Sequence, residues 1–178
     1  MNLVASAPVW LIALLAAALA AAAIEDAIRL RISNATCLVV LVAAIVAMAL
    51  HGFPLALWQN LVVFLVLLVL GTLVFATGKV GGGDVKLLAC LGLWVKLGDA
   101  PWLVASIFLA GGLIALVYLA VGVLRRSRRR DEGKRIGQTQ IPYGLAIVAG
   151  AALVFAGQLG VMAPKHERPL PFRIGAPR

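Results

Sequence analysis

Gly81-Gly82-Gly83-Asp84-Val85-Lys86-Leu87 sets a glycine run and an acid between two strongly apolar stretches. Upstream, residues 57–77 carry no charge over a length close to one bilayer crossing. Downstream, residues 85–97 are apolar apart from Lys86 and Lys96. A carboxylate taken out of water loses several kcal/mol of solvation, so an aspartate at a membrane boundary needs a reason to be there. Glycine lets a backbone turn tightly and approach another chain closely. Two readings fit. The stretch is a flexible, solvated loop, or it is a backbone that brings an extended chain close to an acid, as an intramembrane acid/base site requires. The rest of the chain favours the second.

The 178 residues are 63% hydrophobic and 13% charged, with a mean hydropathy of +1.04. A soluble domain averages roughly 45–50% apolar and about 25% charged. These values predict an all-α integral membrane protein in contact with the lipid bilayer. The formal charge of +9 does not point to nucleic acid, because the basic residues gather between apolar segments and near the C-terminus. Cys37 and Cys90 each stand alone in apolar sequence, so neither a zinc site nor a disulfide framework is expected, and both read as small apolar filler.

Six apolar segments follow one another, at about 8–24, 35–50, 57–77, 85–97, 102–124 and 142–163. The fourth is short for a crossing, which makes sense if it starts inside the membrane boundary at Asp84. Pro142 suits the first turn of the sixth helix. The expected organisation is one polytopic domain over 1–163 and a polar, proline-rich tail over 164–178. The first loop holds Arg29 and Arg31, the third Lys79 with Lys86 just beyond, and the fifth a run from Arg125 to Arg135. The second loop has no Lys or Arg, and the fourth only Lys96 at its edge. Positive-inside then places loops one, three and five in the cytoplasm and both termini outside. Asp26 and Asp84 thereby fall at one depth, at the cytoplasmic membrane boundary.

At these residues the chain resembles a known family. Asp26, with Ile32 six residues on and Asn34 eight residues on, resembles the Asp-x5-Ile-Pro-Asn signature of type IV prepilin peptidases. Gly81-x-Gly83-Asp84-Val85-Lys86-Leu87 resembles their Gly-x-Gly-Asp-Val-Lys-Leu element. Ile141-Pro142-Tyr143-Gly144 is similar to their Pro-aromatic-Gly element at the last helix. The resemblance covers about 26–150. One position departs from it: Ser33 stands where the family has proline. Serine or Asn34 can instead cap the helix that starts there.

The resemblance implies an aspartic endopeptidase of the bacterial inner membrane, with Asp26 and Asp84 as the catalytic pair and no cofactor or metal. Its partner would be a prepilin, whose short leader is cut on the cytoplasmic side before an apolar helix. Larger members also methylate the new N-terminus through an insertion with paired cysteines. That insertion is missing, so the chain looks like the cleavage-only form associated with tight-adherence (Flp-type) pili and with preflagellin processing. Gly81, Gly83, Lys86, Asn34 and Pro142 would bind substrate or shape the site.

Paired carboxylates give the chemistry. Two close acids cannot both ionise cheaply, so one keeps a proton while the other is charged. Either of Asp26 and Asp84 can take either role. Glu25 is a rival for Asp26, but adjacent residues on a helix point about 100° apart, and the spacing to Ile32 and Asn34 selects Asp26. Lys86 either holds the charged acid or snorkels to the boundary. Asp99 reads as a turn residue, His51 as structural, and the 125–135 run as an anchor facing anionic lipid. The competing class is a small transporter or channel subunit with Asp26 and Asp84 as coupling acids, which calls for inverted repeats and acids nearer the midplane. A presenilin-like protease calls for a Tyr-Asp and a Pro-Ala-Leu that are missing here.

Overall fold

The computed structural model describes residues 2–52, 55–78, 80–128 and 143–160, and among these it is all helical. Seven α-helices follow in order: α1 (Leu3–Ser6), α2 (Val9–Arg29), α3 (Asn34–Leu50), α4 (Trp58–Ala76), α5 (Gly82–Gly92), α6 (Ala100–Arg128) and α7 (Tyr143–Gln158). By length and composition, Val9–Arg29, Leu55–Ala76 and Leu97–Val121 can each cross a membrane, while α3 and α7 are shorter apolar helices. The tail over 164–178, Pro142 and the basic run beyond Arg128 lie outside the described residues.

Helix boundaries differ from expectation at three places. The first apolar segment does not stop at Glu25; α2 continues to Arg29, so both of its acids lie on the helix. It ends with Leu30 in the left-handed conformation (φ 52°), whose N–H closes onto the Asp26 carbonyl. That cap usually falls to glycine. The fourth segment begins at Gly82 rather than at Val85, so two glycines of the run form the first turn of α5. The third difference is α1, too short to show periodicity, which buries Leu3 and Val4 against α3 and α7.

Close helix pairs build the bundle. In α4 and α5, Gly71 faces Val85 and Phe75 faces Gly82, while Gly92 packs on Val63, Phe64 and Leu67. The pair is therefore antiparallel, and glycines let the axes approach. In α6 and α7, the Ser106 hydroxyl donates to the Gly150 carbonyl at 2.9 Å, and Gln158 Nε2 donates to Asp99 Oδ2 at 3.1 Å. Asp99 thus ties α7 to the turn that opens α6. The helix starts of α3, α5 and α7 and the C-terminal turn of α2 meet at one end of the bundle.

At about 1.5 Å per residue, α5 is about 16 Å long, half of a bilayer core of about 30 Å. Its chain then leaves the helix inside the protein: Leu93, Trp94 and Val95 are buried in a turn. Backbone carbonyls released there need donors. Asn60, fully buried on α4, supplies them through Nδ2, at 2.8 Å to the Leu93 oxygen and 3.0 Å to the Val95 oxygen. Asn60→Leu removes that donor from two carbonyls. It is expected to lower stability by about 1–3 kcal/mol, read as an earlier unfolding midpoint in mixed detergent micelles. An unchanged midpoint would show that the turn finds other partners.

Candidate active site

Asp26 sits one turn before the end of α2 and is 3% exposed; Asp84 sits in the first turn of α5 and is 8% exposed. Among the described residues no lysine or arginine bonds either carboxyl; such burial is costly, and backbone N–H groups offset part of it. Asp26 Oδ2 accepts from Leu145 N–H at 3.0 Å, at the start of α7. Asp84 Oδ2 accepts from Gly81 N–H at 3.2 Å, at the start of its own helix. Helix N-termini carry partial positive charge, so the starts of α7 and α5 offset part of the cost of burying these acids. Both acid-bearing regions meet at Ile32, which Gly83 and Gly144 each approach.

Ile32, from the α2–α3 loop, stands between the two acid-bearing regions. A Cβ added to Gly83 would lie 2.7 Å from the Ile32 carbonyl oxygen and 3.1 Å from its Cβ. A Cβ added to Gly144 would lie 2.7 Å from Ile32 Cδ1 and 2.8 Å from Asp26 Cγ. The starts of α5 and α7 thus both touch Ile32, α5 at its carbonyl and Cβ and α7 at the tip of its side chain. Glycine is needed at both for close approach rather than for a left-handed backbone. Cys37 adds a contact across the same seam, its thiol donating to the Gly83 carbonyl at 3.6 Å. It is therefore more than apolar filler.

The remaining candidate residues divide by what they touch. Gly81 supplies the N–H on Asp84. Lys86 Nζ donates to Asn34 Oδ1 at 2.9 Å, joining α5 to the start of α3 at an exposed position. Pro142 lies outside the described residues. Glu25 turns away from the pair: its Oε2 accepts from Ser33 N–H at 2.9 Å and from the Thr36 hydroxyl at 3.0 Å. Ser33, not Asn34, is the cap of α3, its hydroxyl oxygen accepting from Thr36 N–H at 3.1 Å. An open groove of about 750 Å³ runs along this loop from Glu25 and Arg29 to Asn34. Among the described residues no group of three or more His, Cys, Asp or Glu stands together as a metal site.

Ile32, Gly144 and the Leu145 N–H are positions that sequence reasoning did not place in the site. The Ile32 and Gly144 signals were present in the motifs; what the motifs lack is the packing between them.

Comparison with known proteins gives one family. Residues 13–120, more than half of the chain and including both acids, match the sequence model described as the type IV leader peptidase family. No curated protein and no solved structure matches the chain.

Proposed function

Because this chain belongs to the type IV leader peptidase family, we propose that it is an aspartic endopeptidase that removes the leader of a Flp-type prepilin at the cytoplasmic membrane boundary, without methylating the product. The peptidase activity and a prepilin-type substrate follow from the family. The observation that carries the aspartic reading is the meeting of Asp26 and Asp84 at one end of the bundle, both buried and each held by a backbone N–H.

One carboxylate of the pair takes a proton from water as the oxygen attacks the scissile carbonyl. The other, protonated, donates to the carbonyl oxygen as it gains charge. Collapse of the tetrahedral intermediate breaks the C–N bond, and a proton passes to the leaving amine, which is the new N-terminus of the apolar segment. The pair titrates as a unit. The Asp26 carboxyl, fixed at the start of α7, and the Asp84 carboxyl, fixed at the start of α5, need no rotamer search to face a substrate strand between them, which is the advantage of prior orientation.

The reading takes six crossings with both termini outside and the acid end in the cytoplasm, on the basic first, third and fifth loops. The family leaves a coupling-acid transporter without support. Two measurements test the proposal. Co-expression with a Flp-type precursor should give a shortened product whose N-terminus is a free, unmethylated amine by mass spectrometry; a methylated terminus rules out the cleavage-only form. Single cysteines at Arg128 and Pro54, probed with an impermeant thiol reagent on intact cells, should be protected and labelled respectively. Labelling at 128 from outside would put the acids on the wrong face.

A further inference from the structure

The loop that carries Ile32 has little of its own to hold it. Residues 31–33 make no helix, and the loop enters through Leu30 in a left-handed conformation. Its position nonetheless matters, because Ile32 separates Gly83, beside Asp84, from Gly144, beside Asp26. In the signature this chain resembles, a proline follows the isoleucine and stiffens the loop through its ring. Ser33 has no ring, but it has what proline lacks, a backbone N–H. That N–H is taken by Glu25 at 2.9 Å, and the same carboxylate oxygen also takes the Thr36 hydroxyl at 3.0 Å. The Ser33 and Thr36 hydroxyls close the ring of contacts at 2.8 Å.

We propose that Glu25 is a positioning residue, whose hydrogen bonds to Ser33 N–H and the Thr36 hydroxyl replace the missing proline and hold Ile32 as the spacer between the two aspartates. The inference rests on the proposed function for its catalytic consequence only. A hydrogen bond to a charged acceptor is roughly twice as strong as a neutral one, and one oxygen gathering two donors from adjacent positions fixes direction as well as distance. Glutamine retains an acceptor oxygen at the same reach, whereas alanine retains none. Proline at 33 fits the backbone already present: the φ of Ser33 is −73°, inside the range of about −65 ± 15° that the ring imposes. The backbone at 33 therefore admits proline, at the loss of the hydroxyl that caps α3.

The test compares Glu25→Gln, Glu25→Ala, Ser33→Pro and the Glu25→Ala/Ser33→Pro double variant in matched membranes. Two readouts are taken: kcat and KM for precursor cleavage, and the rate of tryptic nicking after Arg31 in detergent micelles. Glu25→Ala should lower kcat about tenfold through misplacement of the acids, with little change in KM, and should speed the nick. Glu25→Gln and Ser33→Pro alone should stay close to wild type. Adding Ser33→Pro to Glu25→Ala should restore kcat and slow the nick again. Wild-type kcat in Glu25→Ala overturns the proposal, and so does failure of Ser33→Pro to restore either readout. If the precursor is also cut by Asp26→Asn, the catalytic reading has failed, and the nicking rates still decide whether Glu25 braces the loop.

Discussion

Asp26→Asn and Asp84→Asn are each expected to abolish precursor cleavage, a loss of about a thousandfold or more, while the protein still inserts and folds. Asparagine keeps an oxygen at the same reach. Leu145 N–H can therefore still donate to residue 26, and Gly81 N–H to residue 84, with the contacts seen at 3.0 and 3.2 Å. What is lost is the proton traffic. An amide can neither take a proton from water nor pass one to the leaving nitrogen, and members of an acting pair fail together. The double variant should accordingly be little worse than either single one. Cleavage of the precursor in matched membranes measures this. Activity retained by either single variant, with the fold intact, would remove that aspartate from the chemistry.

The second large effect belongs to Gly83. Valine there would put its Cβ 2.7 Å from the Ile32 carbonyl oxygen, a backbone atom that no rotamer change can move aside. The α2–α3 loop or the start of α5 must shift, and either shift separates Asp84 from Asp26. A displacement of about 1 Å in a reacting group costs on the order of a hundredfold in rate, so Gly83→Val should lose most cleavage with both acids still present. Gly82→Ala is the contrast. Its Cβ would meet the Phe75 ring at 3.4 Å, ordinary contact with a side chain that can yield. Near-normal cleavage by Gly83→Val would show that the glycine run is only a flexible loop.

The placement of the acids at one end was legible in the sequence because it depends on loop parity. A reading in which the apolar segments alternate direction puts the end of the first and the start of the fourth on one side. The motif spacing prefers Asp26 to Glu25; in the structure the two carboxyls turn to different helices, Asp26 to α7 and Glu25 to the start of α3. What the sequence left hidden depends on contacts between distant positions. Gly83 was expected to bind substrate or shape the site, and no spacing reveals that it makes room for Ile32. Asn60 reads as one polar residue in an apolar run, and only the turn after Gly92, more than thirty residues on, explains it. The glycines at 82 and 83 look like loop material by composition, yet tertiary packing draws them into α5.

The bond from Leu145 N–H to Asp26 joins α2 to α7. During synthesis, Asp26 emerges long before its partner does, and Asp84 before α7 has been made. A chain made only as far as α5 holds both acids but lacks the Leu145 N–H that binds Asp26. The hold on Asp26 is therefore set only once α7 has been made and docked beside α2.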